Sequence, residues 1–351
     1  MSNAVAVKRQ TNIDLLRITA SFFVVLIHVA CAYWGWCDMY QQGWTGIAVY
    51  ATFTRVCVPL FVMISGKLFL ARNNAVPISK LLLNYVLKLV VLYIVWGLLY
   101  AIDDLGVNIL LSKDWIDIPK HFATSPKYHL WYLPMQTLIY LMLPLFWALA
   151  KHEQGKYLGY VCAIICAFSV INATLKLFVP MDTYVSSFLG KYYSGLDVYW
   201  LYFLLGYYVS TKKLDKLKTW HCLMVFVISM TIATVYTAWS SRTNGGYDNR
   251  LLESYPITTF VATIALFLAF QKMPCNFSQR TGKIISVVSR CTLFVYLFHP
   301  FVLDRLSMLG LNAVTFNPWI CCPVVAAIVF VLCMIPALVL TKIPFVNKWL
   351  L

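Results

Sequence analysis

An arginine and a histidine lie inside the first long apolar stretch of the chain, in the run Asp14-Leu-Leu-Arg17-Ile-Thr-Ala-Ser-Phe-Phe-Val-Val-Leu-Ile-His28. Arg17 and His28 are separated by about three helical turns, so both side chains project from one helix face, about 16 Å apart along the axis. Ionisable groups are costly in hydrocarbon and are normally kept where they face a protein interior or a wet cavity. The pair therefore predicts a functional site within a membrane.

The chemistry available to this pair is acid–base catalysis and anion recognition. A neutral imidazole at His28 can take a proton from a sugar hydroxyl, although a structural histidine bonded to a neighbouring helix is the alternative. Arg17 can hold a phosphate or polarise a carbonyl, or it can extend toward the lipid headgroups. Asp14 lies three residues earlier on the same face, and we expect it to pair with Arg17.

The second apolar stretch carries Arg55, Pro59 and the dipeptide Ser65-Gly66. An unpaired arginine inside a membrane helix is costly, so Arg55 is expected to line a cavity or meet a partner. Pro59 is expected to kink the helix and free a backbone carbonyl. Gly66 permits the close approach of another backbone or of a ligand. Kinking and packing alone are the alternative interpretation of this segment.

Two later stretches carry further candidates. The fourth opens with His129, Trp131 and Tyr132, an aromatic cluster typical of an interfacial belt and also of a sugar-binding mouth. The ninth carries Arg290 and then His299 directly before a proline, and His299 is as compatible with a structural role as with a catalytic one. These segments supply the other side chains that a membrane-embedded site would need.

Composition predicts an all-α polytopic membrane protein with about ten transmembrane helices. Of the 351 residues, 61% are hydrophobic and 12% are charged, whereas a soluble domain carries about 25% charged residues. Apolar runs of about 20 residues recur along the chain, which is the length needed to cross a bilayer. The predicted helices are 14–35, 46–70, 80–101, 129–149, 157–179, 195–211, 219–240, 255–271, 284–303 and 319–341. We expect one domain over residues 1–351, without a separate soluble domain.

The net charge of +15 is mainly an orientation signal rather than a sign of a nucleic-acid partner. With the N-terminus in the cytoplasm, most of the 28 basic residues fall on the cytoplasmic side and most acidic residues on the other. This positive-inside distribution predicts that both termini are cytoplasmic. The 11 cysteines show no metal-ligand spacing, so no metal site is expected. Only Cys37 falls clearly in an outside loop, so no structural disulfide is expected on that face.

Taken together, these segments resemble the acyltransferase-3 family of polytopic membrane enzymes, which O-acylate bacterial surface glycans. Arg17 and His28 are similar to its Arg-x10-His signature, and the run from Arg55 to Gly66 is similar to its second-helix segment. The blocks at 129–144 and 296–300 follow in matching order, so the resemblance covers nearly the whole chain. It is closest to the short, single-domain branch associated with O-acetylation of enterobacterial common antigen. One departure is Gln136, where many larger members have a glutamate. The chain therefore lacks one possible acid or base, so the role of base depends more on His28.

The resemblance implies acetyl-CoA as a cytoplasmic co-substrate, no permanently bound cofactor, and a glycan or lipid-linked glycan as acceptor. It also implies a multi-pass protein of the bacterial inner membrane that contacts membrane lipids, and a homo-oligomer remains possible. Direct transfer and an acetyl-histidine relay remain open, as do the alternatives of a glycan transporter, exporter or polymerase. The donor would meet Arg72, Lys80, Lys283 and Arg290, and the acceptor would meet Arg55, Ser65, His129, Trp131, Tyr132 and His299.

Overall fold

The computed structural model describes residues 11–343 except 113, 176, 178–195, 213, 215 and 275, and every regular element in that part is helical. The predicted all-α fold is therefore confirmed. Short 3₁₀ helices at Val107–Leu111, His152–Gly155 and Arg250–Leu252 join longer elements. The longer helices are α1 (Thr11–Cys31), α2 (Gln42–Phe53), α3 (Cys57–Leu70), α4 (Ile78–Leu105), α5 (Asp117–Thr124), α6 (Tyr132–Leu141), α7 (Leu143–Lys151), α8 (Leu158–Leu175), α9 (Leu196–Thr211), α10 (Thr219–Asn244), α11 (Ile257–Lys272), α12 (Gln279–Met308) and α13 (Pro318–Leu340).

The lengths and hydropathies of these helices confirm a polytopic membrane protein. Within the described part, eight helical segments are long and apolar enough to cross a membrane, counting α2 with α3 as one segment. The pair α6–α7, bent by 51°, makes a ninth if it crosses as one span. Helix α9, with 16 residues, lies at the remaining predicted position. Helices thus occupy all ten predicted places. The number of helices that cross the membrane stays a prediction. Both chain termini lie outside the described residues, so their predicted cytoplasmic location also stays a prediction.

The second predicted helix, 46–70, is not continuous, because α2 ends at Phe53 and α3 begins at Cys57. Pro59 has no N–H for the carbonyl of Arg55 four residues earlier, and its ring clashes with that carbonyl. The break therefore falls one turn before Pro59, which is left in the first turn of α3, where proline is tolerated. Arg55 consequently lies in the non-helical turn between two helices rather than inside one.

The fourth predicted helix, 129–149, also differs from the structure. It begins only at Tyr132 and breaks at Met142, between α6 and α7. Pro144 follows the break directly and cannot bond the carbonyl of Tyr140, by the same argument as for Pro59. His129 and Trp131 therefore lie in a turn before α6 instead of on a helix face. The other helix ends differ from their predicted positions by up to about five residues, the usual uncertainty of boundaries read from sequence.

A reciprocal glycine contact holds α3 against α9. A Cβ placed on Gly66 would lie 1.7 Å from the carbonyl oxygen of Phe203, and one placed on Gly206 would lie 2.0 Å from that of Met63. Small residues of this kind let two membrane helices approach backbone to backbone. The expectation that Gly66 permits such an approach is confirmed. Helix α1 packs against α3, α12 and α13, which carries its polar face into the interior of the bundle.

Candidate functional site

Two cavities adjoin in the interior of the bundle. Following the predicted orientation, we call the cavity of about 320 Å³ that Arg17 lines the inner cavity, and the cavity of about 190 Å³ that His28 lines the outer cavity. Helix α1 therefore connects the two, as the predicted spacing along one helix face requires. Four residues line both cavities and form what we call the shared wall: Val24, Val58, Tyr132 and Tyr296.

Arg17 is held at the inner cavity by a network from α1 and α12. The Ser289 hydroxyl donates to Asp14 Oδ1 at 2.7 Å, and Arg17 Nη1 lies 3.4 Å from the Ser289 oxygen and 3.9 Å from the Asp14 carboxylate. Ser289 is 1% exposed, so this network is enclosed by protein. The predicted pairing with Asp14 is present, and it holds the guanidinium inside the bundle instead of letting it extend toward headgroups.

Only one of the four predicted donor-binding residues shares a cavity with Arg17. Arg290 lines the inner cavity from α12. Arg72 lies outside both cavities and places its guanidinium 4.6 Å from the ring centre of Phe69. Lys80 and Lys283 are exposed and also lie outside both cavities. The inner cavity is thus a two-arginine site, and the other three side chains lie away from it.

Ser65 and Tyr140 also line the inner cavity, next to the shared wall. Ser65 was predicted to meet the acceptor, so its position on the inner side differs from that expectation. It comes from α3 one residue before Gly66, whose close contact with α9 fixes the depth of this turn.

The outer cavity brings together four of the predicted acceptor residues around His28: Arg55, His129, Trp131 and Tyr132. Arg55 places Nη2 3.9 Å from Cys31 Sγ, and no carboxylate of the described residues lies within 4 Å of it. Its guanidinium charge is thus left facing the cavity. Trp131 is 45% exposed and packs against Tyr199, with ring centres 5.6 Å apart.

Sequence reasoning missed Glu253, Ser254 and Tyr199, which line the outer cavity opposite α1. The Tyr199 hydroxyl donates to Ser254 Oγ at 3.0 Å, which fixes that wall. Glu253 is the carboxylate among the described residues lining the two cavities. Its signal in the sequence was an acidic residue directly before an apolar stretch, in a predicted outside segment that also carries Asp248. Many ordinary connectors share this pattern.

His28 contacts two rings. The ring of His299 lies 5.1 Å away at an interplanar angle of 24°, and the ring of Tyr128 lies 4.8 Å away at 51°. His299 is fully buried, lies 5.4 Å from the ring of His129, and lines neither cavity. The structure thus places His299, a predicted acceptor residue, against His28 and away from the lining of both cavities.

Ion pairs anchor the segment that carries Tyr128. Lys127 bridges Asp104, at 3.1 Å, and Asp304, at 2.9 Å. Partial burial alone would lower the pKa of Lys127, but hydrogen bonds and charge pairing with Asp304 and Asp104 outweigh burial and raise it. The lysine therefore stays charged and ties the loop before α6 to α12. This fixes Tyr128 against His28.

The described arrangement offers an imidazole beside an outer cavity and a paired guanidinium beside an inner one. An imidazole can remove a proton from a hydroxyl group, and a guanidinium can stabilise developing negative charge on oxygen. Among the residues that the structure describes, no group of three histidine, cysteine or acidic side chains is placed to hold a metal ion. The described residues thus place a candidate proton acceptor and a candidate anion-binding group beside two adjoining cavities.

Comparisons with known proteins agree with this chemistry at the level of the family. A family model for the acyltransferase domain matches residues 10–339. An amino-acid racemase of Enterococcus faecalis is 26% identical over 321 residues, which cover 84% of this chain and 41% of the racemase. A probable poly-beta-1,6-N-acetyl-D-glucosamine export protein of Staphylococcus aureus is 22% identical over 252 residues, 71% of this chain and 69% of that protein. The chain thus spans about two fifths of the racemase's length. No solved structure matches the chain.

Proposed function

Because the chain belongs to the acyltransferase-3 family, we propose that it is an O-acetyltransferase of the bacterial inner membrane. It moves an acetyl group from cytoplasmic acetyl-CoA to a hydroxyl group of a surface polysaccharide or of its lipid-linked precursor. His28 is the general base. The observation that carries this proposal is the pair of adjoining cavities, one lined by Arg17 and Arg290 and the other by His28.

The inner cavity suits the donor. Acetyl-CoA is anionic, and the positive-inside charge distribution puts Arg17 toward the cytoplasm. The network of Asp14 and Ser289 leaves the Arg17 side chain 27% exposed toward the cavity. Arg17 and Arg290 would hold the anionic part of the donor, and its thioester would extend along the shared wall toward His28.

The outer cavity suits a hydroxylated ring. Trp131 offers an exposed aromatic face, Arg55 offers hydrogen-bond donors, and Glu253 offers acceptors. A sugar carries groups that complement all three. His28 lines this cavity together with the shared wall, where the acceptor hydroxyl would meet the thioester.

The transfer step follows from this placement. The acceptor hydroxyl attacks the thioester carbon while a His28 ring nitrogen takes its proton. The tetrahedral intermediate collapses, the carbon–sulfur bond breaks, and coenzyme A leaves as a thiolate. That thiolate recovers the proton held by His28, so the imidazole is again neutral for the next cycle.

The test is His28→Ala, with His152→Ala as the matched control because His152 is exposed and lies outside both cavities. General bases contribute roughly a hundredfold or more to rate, so His28→Ala should lose at least that factor. Acetate on the surface glycan is measured by NMR, and acetyl transfer by the purified protein with labelled acetyl-CoA. Comparable insertion and thermal unfolding of the two variants show that both are folded. Unchanged glycan acetate in His28→Ala would contradict the assignment of His28 as the general base.

Glycan export is the second candidate, because the Staphylococcus aureus relative is named as a probable exporter of a polysaccharide. A ligand that binds only the folded state at a hundred times its Kd stabilises that state by about 2.7 kcal/mol. Purified protein should therefore unfold at a higher temperature with saturating acetyl-CoA. An unchanged unfolding temperature would favour export over acetyl transfer.

A further inference from the structure

Pro300 leaves a backbone carbonyl inside α12 without its helical donor. Proline has no N–H, so the carbonyl of Tyr296, four residues earlier, cannot receive the usual bond. His299 Nδ1 lies 2.8 Å from this oxygen and 3.2 Å from the carbonyl oxygen of Val295. The imidazole thus replaces the hydrogen bond that the proline removes.

The partners of His299 fix where its hydrogen lies. Both are carbonyl oxygens, which only accept, so Nδ1 must carry the hydrogen. In the neutral ring the lone pair is then on Nε2, which is buried and has no hydrogen-bond partner among the described residues. A second proton on Nε2 would place a buried charge without an acceptor, which is costly. The surroundings therefore select one neutral tautomer.

This neutral ring is stacked on His28. The two ring centres are 5.1 Å apart, within the distance at which a cation is attracted by an aromatic face. Tyr128 lies on His28 as well, at 4.8 Å. The described part of the chain offers His28 no hydrogen bond, so its orientation depends on these ring contacts.

We propose that His299 is a positioning residue for acyl transfer: Pro300 frees the Tyr296 carbonyl, the carbonyl locks His299 as a neutral ring, and that ring orients His28 and stabilises it when protonated. The proposal rests on the proposed function only in taking His28 as the proton acceptor. A histidine free to carry its own positive charge would instead repel the imidazolium that forms at His28.

Kinetics separate this role from substrate binding. A cation over an aromatic face is stabilised to an extent that corresponds to roughly a 2- to 30-fold rate effect. His299→Ala should lower kcat by about tenfold while KM for acetyl-CoA and for the acceptor stays within about twofold. His299→Phe keeps a neutral ring and should recover part of the lost kcat. An unchanged kcat, or no difference between the two variants, overturns the proposal.

The proline provides a second arm with a matched control. Pro300→Ala returns a backbone N–H to the Tyr296 carbonyl and should release His299, lowering kcat with KM unchanged. Pro323 in α13 also frees a carbonyl, that of Trp319, which accepts a 2.7 Å hydrogen bond from the Tyr50 hydroxyl. Neither Trp319 nor Tyr50 lines the two cavities. Pro323→Ala should therefore leave kcat unchanged. Equal kcat in Pro300→Ala and wild type contradicts the lock.

A spectroscopic measurement tests whether the Tyr296 carbonyl holds His299 in one neutral tautomer, which we call the lock, without measuring enzyme activity. Nitrogen-15 NMR of histidine-labelled protein, with His299→Phe to assign the signal, should show hydrogen on Nδ1 and a bare Nε2 in the wild type. In Pro300→Ala the signal should shift toward hydrogen on Nε2. A wild-type protein with hydrogen on Nε2 refutes the lock, even if acetyl transfer is normal. Absence of acetyl transfer in the wild type refutes the proposed function, while this measurement still tests the lock.

Discussion

Alanine at Gly66 is expected to push α3 and α9 apart. Its Cβ would lie 1.7 Å from the carbonyl oxygen of Phe203, although real Cβ atoms essentially never approach another heavy atom closer than 3.0 Å. The obstructing atom belongs to the backbone, so no side-chain rotation relieves the clash. Interiors are close-packed, and the two helices would have to separate by on the order of 1 Å. The reciprocal contact of Gly206 with Met63 would open at the same time.

We expect the loss in the free energy of unfolding to be large for the addition of a single methyl group. Overpacking a well-packed interface costs about 1–3 kcal/mol, and a clash with backbone on both helices belongs at the upper end of that range. The displacement also reaches the site, because α3 carries Ser65 and α9 carries Tyr199, which line the inner and outer cavities. We expect Gly66→Ala to lower thermal stability by several degrees and to reduce acetyl transfer.

Gly282→Ala is the matched control. Gly282 lies in the first turns of α12, and nothing lies within 4 Å of a Cβ placed there. Alanine is favoured over glycine in a helix by about 1 kcal/mol, so this variant should be as stable as wild type or slightly more stable. Thermal unfolding of both variants in the same detergent gives the comparison. Equal unfolding temperatures for Gly66→Ala and Gly282→Ala would refute the close contact between α3 and α9.

Three further outcomes are expected. Arg17→Lys keeps the charge but loses the planar fork, so kcat/KM for acetyl-CoA should fall roughly tenfold to a hundredfold, and an unchanged value would place Arg17 outside the donor site. Glu253→Gln should raise the acceptor KM roughly tenfold at constant kcat, and an unaltered KM would remove Glu253 from acceptor binding. Partial burial alone would raise the pKa of Asp248, but hydrogen bonds from Arg250 and Ser240 outweigh it and lower the pKa to about 2. The stability from this carboxylate is therefore present above its unfolded-state pKa and is lost as pH falls from about 4 to about 2. Asp248→Asn should remove that part of the pH dependence of thermal unfolding, and identical profiles would contradict it.

Helix positions could be predicted from the sequence because apolar length alone determines where a chain can cross a bilayer. That Arg17 and Arg55 face the interior also followed from cost, because a charged side chain in hydrocarbon must line a cavity or meet a partner. His129 and Trp131 were predicted from a different signal, the aromatic cluster at the start of the fourth predicted helix. The donor residues were less predictable. Lys80 and Lys283 satisfy the positive-inside rule on the surface, so their charge carries no information about the cavity.

Glu253 could not be predicted from the sequence for a different reason. It joins the outer cavity only because the segment before α11 folds against α1 and α9, a contact between residues far apart in sequence. Periodicity and local charge describe each helix separately, whereas the cavity depends on which helices meet. The stack of His28 on His299 is of the same kind, since those residues lie on α1 and α12.

Three prolines remove helical hydrogen bonds next to the two cavities. Pro59, Pro144 and Pro300 each deprive the carbonyl four residues earlier of its donor, and those carbonyls belong to Arg55, Tyr140 and Tyr296. All three of these residues line a cavity. Irregular backbone at membrane depth is tolerated only where it is buried in protein or lines a water-filled space. Pro59 and Pro300 were predicted from the sequence as kinks, and Pro144 was not. The common consequence of all three is a set of unpaired or re-paired carbonyls beside the two cavities. Replacing any one of these prolines with alanine should therefore reduce acyl transfer more than it reduces stability. The alanine N–H restores the helical hydrogen bond, which limits the loss of stability, while the loss of the bend moves the cavity wall.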